Sequence, residues 1–481
     1  MKLRTEIRRL RNGEGQTEHK VKQACRQLNY VLGKIKVMKK ARENKASLKK
    51  QSVEQANFKK DPWKYAQELF NPPSAGQPTF STETATDYFS KLYCDKSRSE
   101  VYQALPEWVR PAKPTYQFDL QPPTLEQLRD AVKTKRNKNA PGINSIPFLV
   151  YKKCPRLLKY LLEIFVQVWK SGEIPRSWQC AIVTLISKSS CLDQPSEFRP
   201  IALLNAEGRL FFTLMQWRLS DYMISNGYIQ SRIQKGFMRD VAGCIEHSET
   251  MYQMLRDAKD TKSSICVCWI DLANAYGSVK HSLFQFSLEW YHVPDHFRAI
   301  IYAYYEGLMA AIMVGREMTP WFRFSIGVFQ GCTASTILFN VAFNTCFAHL
   351  EQLREECGYQ FKRAPVKVLT TGYADDLGCA TRSTVGYTAS ANNQRVVDLL
   401  NVWLTWSKTM KAKPKKCVAM ALENSKPVEP SPTIESDGKV EPMARISDEV
   451  YAGKERDPWF KFLGRYLLES LKEDKAEELL L

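Results

Sequence analysis

The chain has 481 residues, about three times a typical domain, so more than one lobe is expected. Its 44% hydrophobic content supplies a core of ordinary size, and 25% charged residues exclude wholesale disorder. Lysine and arginine exceed aspartate and glutamate by 69 to 51, and residues 1–60 alone hold 18 bases against five acids. So localised an excess predicts a polyanionic partner. Nucleic acid fits better than membrane, because the stretch has few large apolar anchors. The alternative is a charged helix that is merely solvated.

In chain order, residues 1–60 read as a basic helical extension, broken early by Gly13 and Gly15, that strengthens binding to that polyanion. No apolar run follows the Met-Lys-Leu-Arg opening, so a secretory signal is not expected. No stretch reaches roughly eighteen apolar residues either, since Lys159 and Glu163 interrupt the best one, Leu157 to Trp169. An intracellular protein, nuclear or cytoplasmic and without a membrane span, is the expectation. Residues 61–120 read as a linker and N-terminal extension, with a turn at Asn71–Gly76 and prolines from Pro106 to Pro123. Thr124 with Gln127 predicts a capping box. A helix from Pro155 to Gly172 would bury a stripe of Leu157, Leu158, Leu161, Leu162, Phe165 and Val168. Strands are predicted at 181–186, at 265–272 as a doubly covered run, and at 366–371 and 377–380. Thr433 to Glu441 predicts a hairpin on Asp437-Gly438, and the surrounding prolines place it at an edge. The 13 cysteines read as reduced core residues, with Cys266 and Cys268 on one face of their strand. Pro294 between His292 and His296 spoils a helical zinc pair. The fold class is α+β.

Acidic pairs occur in several places, but only Asp375-Asp376 is enclosed by apolar, strand-forming neighbours. Asp271 is similarly placed at the end of a buried strand. Ionised carboxylates near a core are costly, and crowding raises at least one pKa. A divalent cation relieves both, and three aspartates on strand ends would suit two-metal phosphoryl transfer. The plainer alternative is a helix cap for Asp271 and a hairpin turn for the pair.

Trp269-Ile-Asp-Leu-Ala-Asn-Ala-Tyr-Gly-Ser-Val279, Gly327-Val-Phe-Gln-Gly-Cys-Thr333 and Tyr373-Ala-Asp-Asp376 occur in that order. They resemble motifs A, B and C of reverse transcriptases, in the form carried by non-LTR (LINE-type) retrotransposons. Ala140-Pro-Gly-Ile-Asn144 and Phe198-Arg-Pro-Ile201 are similar to that family's finger motifs, Lys413-Pro-Lys-Lys-Cys417 to motif D, and Phe462-Leu-Gly464 to motif E. The resemblance implies a right-hand polymerase: fingers over 121–260, and a palm over 261–467 with an RRM-like antiparallel sheet flanked by helices. It implies that Asp271, Asp375, Asp376 and the Leu272 carbonyl hold two Mg²⁺ ions, with Mn²⁺ a possible substitute. Tyr276 would be the steric gate against a ribose 2′-hydroxyl. Lys188 and Arg199 would clamp the incoming triphosphate, with Gln330 and Gly331 lying along the nucleotide. Lys416 would be a proton donor to pyrophosphate, and Phe462, Leu463 and Gly464 the primer grip. The alternatives are a core role for Tyr276, an ion pair for Arg199 and a solvated Lys416.

The implied activity is that of an RNA-directed DNA polymerase, with RNA template, DNA primer and deoxynucleoside triphosphates as partners. Two departures stand out: Ala334-Ser335-Thr336 replaces the family's Leu-Ser-Pro, and Lys413 replaces an asparagine. Residues 468–481 read as a truncated tail, so thumb and endonuclease are expected to be missing. The competing expectation is a catalytically inactive, nucleic-acid-binding remnant. An RNA polymerase of related palm is disfavoured by Tyr276.

Overall fold

The computed structural model describes residues 76–446 except 99, 138, 189, 190, 239, 240 and 242, together with 460–463 and 465–467. The basic extension, the first part of the 61–120 segment and the 468–481 tail lie outside the described residues. The longer helices are α1 (Thr82–Leu92), α2 (Leu125–Thr134), α3 (Pro155–Ser171), α4 (Ala206–Ser225), α5 (Cys244–Asp260), α6 (His281–Trp290), α7 (Thr333–Leu350) and α8 (Ala389–Ser407). The strands that matter here are β1 (Cys180–Ser187), β2 (Phe198–Leu203), β3 (Ile265–Ile270), β4 (Met309–Val314), β5 (Glu317–Met318), β6 (Phe322–Arg323), β7 (Thr370–Tyr373), β8 (Asp376–Arg382), β9 (Val418–Glu423) and β10 (Lys426–Val428). Helices and strands are mixed throughout, as an α+β fold requires.

Where local chemistry decides, elements form as the sequence predicts. Thr124 and Gln127 make both bonds of the capping box on α2. Helix α3 starts at Pro155 and ends on Gly172, which adopts φ 73. Its buried stripe is Leu158, Leu161, Phe165, Val168 and Trp169, whereas Leu157 is 39% exposed because it points off that face.

One sheet has the order β2-β1-β4-β5, with β6 also on β4; β1 runs antiparallel to β2 and parallel to β4. The other has the order β10-β9-β3-β8-β7, with antiparallel neighbours. Every residue of its central strand β3 is buried, because both faces are covered. Ile265, Val267 and Trp269 pack with Met251, Met254 and Leu255 of α5. On the opposite face Cys266 meets Ala389 of α8, and Cys268 joins the cluster that holds Phe339, Phe343 and Trp403 of α7 and α8.

Several expectations are corrected. The 366–371 strand splits into Lys367–Val368 and β7, with Val366 48% exposed. The hairpin of Thr433–Ser436 and Lys439–Pro442 turns on left-handed Asp437 and Gly438 but stands as its own two-stranded sheet. The Thr433 amide donates to Gln394 of α8 and holds it there. The described part of the 61–120 segment is no free linker, since Tyr102 and Phe118 are buried. The Tyr102 hydroxyl donates to the Ser407 carbonyl at 2.7 Å, and Trp108 Nε1 to His349 Nδ1 at 2.9 Å. The division at 260/261 is crossed twice: α5 covers the second sheet, and β4 to β6 join the first.

Burial disfavours the charged form of His247, His281 and His349, most strongly for the first two. Burial pushes His247 down to about 4 and His281 down to about 3. Both folded values lie below the unfolded value near 6.5, so the unfolded chain binds the extra protons and stability falls as pH falls. Urea unfolding at pH 5 is expected to show a loss of about 2 kcal/mol per histidine relative to pH 7. His281→Asn should remove that residue's share, and an unchanged slope in the variant would contradict this account.

Candidate active site

Strand β3 ends at Ile270, so Asp271 emerges at its carboxyl end, and β8 begins with Asp376. The register sets Leu377 opposite Ile270. Asp271 and Asp376 are therefore the first residues beyond that last pair, close enough for each charge to act on the other. Tyr373 pairs with Asp376 across a two-residue turn, Ala374-Asp375, in which Ala374 is left-handed at φ 57. Sheet register thus gathers carboxylates that are distant in sequence.

Asp271 and Asp375 line a cavity of about 440 Å³, together with Leu272, Tyr276, Lys188, Arg199, Gln330 and Lys416. Two larger clefts, of about 700 and 610 Å³, gather none of the three aspartates. Asp376 is exposed beside this wall. Gly331, at φ 124, is not in the wall; a Cβ there would meet the Ala202 carbonyl oxygen at 2.4 Å. Its close approach serves β2 rather than the cavity, and the Ala202 amide donates to the Gln330 carbonyl at 2.7 Å. Of motif E, Leu463 is not part of the cavity wall. Phe462 pairs with Arg465 in a hairpin, Leu463 packs against the α5 cluster, and Gly464 lies outside the described residues.

The electrostatics follow from crowding. The protein packed around one side of the Asp376 carboxyl, then Asp375 and Asp271, raise it to about 6, although the residue keeps an exposed face that solvent screens. Burial and Asp271 also raise Asp375, against the pull of Arg199. Burial, then Asp375, raise the Tyr276 phenol, whose ring stacks on Phe339 at 4.6 Å. The Lys416 ammonium lies 4.0 Å from Asp271 Oδ2. Lys188 donates to the Ser196 carbonyl at 2.8 Å and is lowered by burial and by Arg199, Lys413 and Lys416. Among the described residues no three carboxylate, imidazole or thiol groups already form a metal cage. The donor chemistry nevertheless fits a divalent cation: hard oxygens, crowded enough that their charges oppose one another.

Sequence reasoning missed several wall residues. Lys413 reads in sequence as the first residue of motif D and as a departure from the family, with no role at the site, yet it lines the cavity, and its amide donates to the Asp271 carbonyl at 2.8 Å. Tyr88, Phe89 and Leu92 of α1 line it too, and no motif marked that helix. The other departure is remote: Ala334 and Ser335 are buried on α7, with Ser335 Oγ 3.3 Å from the Tyr305 hydroxyl. Among the described residues no helix is long and apolar enough to cross a membrane.

Residues 186–466 match the family model described as reverse transcriptase (RNA-dependent DNA polymerase). The chain is similar to a probable RNA-directed DNA polymerase from transposon BS of Drosophila melanogaster, 25% identical over 303 residues, covering 62% of the chain and 32% of that relative. It is also similar to the Pol polyprotein of type-1 retrotransposable element R2 of Nasonia vitripennis, 23% identical over 302 residues, covering 63% and 27%. The polymerase from mobile element jockey of Drosophila funebris is 24% identical over 310 residues, covering 63% and 32%. The chain thus spans about a third or less of the length of these curated relatives. It belongs to the reverse transcriptase (RNA-dependent DNA polymerase) family.

Proposed function

We propose that this chain extends a DNA primer along an RNA template, with its fingers and palm formed mainly from 121–260 and 261–467. The observation that carries this reading is the meeting of Asp271, Asp375 and the bases Lys188, Arg199, Lys413 and Lys416 around one cavity, with Asp376 beside it. The primer 3′-hydroxyl would attack the α-phosphorus of a deoxynucleotide, and pyrophosphate would leave. Asp271, Asp375 and Asp376, with the Leu272 carbonyl, would hold two Mg²⁺ ions or their Mn²⁺ substitutes. Divalent cations bound there supply charge stabilisation for attacking and leaving oxygens.

The remaining roles belong to the chain's own residues. Lys188, Arg199 and Lys413 would hold the triphosphate, fixed positive charge offsetting the charge that develops during transfer. Lys416 would protonate the leaving pyrophosphate. Gln330 would lie along the nucleotide, and Phe462, Leu463 and Gly464 would steady the primer. Tyr276, held flat against Phe339, would exclude a ribose 2′-hydroxyl.

Purified protein given primed RNA, Mg²⁺ and deoxynucleotides should extend the primer, and the Asp375→Asn variant should not. Equal extension by both would reject the site assignment. Tyr276→Ala is expected to raise ribonucleotide incorporation about 10–100-fold relative to deoxynucleotide, the scale on which small steric differences are discriminated. Single-nucleotide incorporation kinetics measure that ratio, and an unmoved ratio would remove Tyr276 from the gate role.

A further inference from the structure

We infer that Gln234 is a positioning residue for the turn that bears Asp375 and Asp376, acting through the Ala374 peptide. The inference rests on the polymerase reading above and adds a residue that no motif in the chain marked. Gln234 has no exposed surface. Its Oε1 accepts from the Ala374 amide at 2.8 Å and from the Gly236 amide at 2.8 Å, while its Nε2 donates to the Ala374 carbonyl at 3.0 Å. One side-chain amide therefore satisfies both polar groups of a single residue, much as a neighbouring strand would.

That residue needs holding. Ala374 carries a Cβ at φ 57, a conformation that costs about 1–2 kcal/mol and persists where its surroundings over-determine it. Those surroundings are built from buried groups. The Gly372 amide donates to the Ile233 carbonyl at 2.7 Å, and the Lys235 amide donates back to Gly372 at 2.9 Å. Asn340 of α7 donates to the Gly236 carbonyl at 2.6 Å, and His247 of α5 lies with Nε2 2.8 Å from the Ile233 carbonyl. Gly236 itself lies so close that a Cβ would stand 2.2 Å from the Ala374 nitrogen.

The physical consequence is directional. Asp375 follows Ala374 immediately, so the Ala374 dihedrals aim its carboxylate, and Asp376 starts β8 from the same turn. Gln234 brings no charge to the site; it supplies orientation, as outer partners of metal ligands do. Methionine would fill the same volume and offer neither the donor nor the acceptor. The turn would then relax from its left-handed conformation, and the carboxylates would lose their common aim.

The test measures Mn²⁺ binding to full-length protein by the electron paramagnetic resonance signal of the free ion, alongside primer extension. Gln234→Met is expected to weaken Mn²⁺ binding about 10–100-fold, the usual effect of removing an outer partner. It should also lower kcat and raise the Mg²⁺ concentration for half-maximal rate, while KM for primer-template stays at the wild-type value. Wild-type Mn²⁺ affinity and Mg²⁺ dependence in the variant would overturn the inference. A wild-type chain that binds no Mn²⁺ would instead overturn the metal-site reading, before any Gln234 variant is considered. Should Gln234→Met lose its near-ultraviolet dichroism, Gln234→Glu carries the same test. It keeps volume and acceptor, and once ionised it turns a bare oxygen toward the Ala374 carbonyl, so the same shifts are expected above the titration of that carboxyl, and their absence there is equally decisive.

Discussion

Asp376→Asn is expected to raise the melting temperature of the metal-free protein while lowering primer extension by at least about a thousandfold. The two effects have one cause. Desolvation on its protein side and the charges of Asp375 and Asp271 lift the partly solvated Asp376 carboxyl to about 6, so at neutral pH it is ionised beside those two acids. Asparagine keeps the shape and removes the charge, and because solvent screens a partly exposed carboxylate the relief should amount to about one or two degrees. The same charge is what would bind a cation, and losing a metal ligand costs several kcal/mol of transition-state stabilisation. Wild-type protein should gain about 3 kcal/mol from Mg²⁺ at a hundred times its dissociation constant, and the variant should gain much less. Differential scanning fluorimetry with and without Mg²⁺ measures both. A variant less stable than wild type without metal, and equally stabilised by Mg²⁺, would show that Asp376 is an ordinary turn residue.

What could be read from the sequence divides along physical lines. The Thr124 cap, the α3 stop at Gly172, the Asp437-Gly438 turn and the buried run of β3 depend on neighbours within a few residues. Their chemistry is local, so pattern suffices. Asp271 and the 375–376 pair were visible because charge in an apolar setting is anomalous. Their approach depends on the pairing of Ile270 with Leu377, and sequence cannot supply a register between distant strands. The 100–120 segment is rich in proline and reads as loop, yet its aromatic side chains anchor it against α6 and α8; composition describes its backbone and not its docking. Gln234, and the place of Lys413 in the cavity wall, were illegible for a related reason. A single polar side chain has no periodicity, and its partner appears only when the chain closes on itself.

Lys280→Met is expected to cost about 3–5 kcal/mol of folding stability, which is large for a lysine. Lys280 is only 2% exposed. Its Nζ donates to Ser97 Oγ at 2.6 Å and to Glu100 Oε2 at 3.0 Å, and it lies 3.6 Å from Asp95 Oδ1. The Asp95 side chain is 4% exposed, so removing the ammonium leaves a buried carboxylate without its counter-charge. The cluster also matters to the site. Lys280 ends the segment that carries Tyr276, and the Gly327 and Val328 amides donate to Val279 and Tyr276 at 2.8 Å each. The 95–100 loop is thereby tied to the backbone junction of motifs A and B. Pairing Lys280→Met with Asp95→Asn should restore most of the loss, because the double variant removes the uncompensated charge together with its partner. Urea denaturation of the four proteins gives the coupling energy directly. A single-variant loss below about 1 kcal/mol, the size of a solvent-exposed pair, would mean that water reaches this cluster and that it does not tie the loop down.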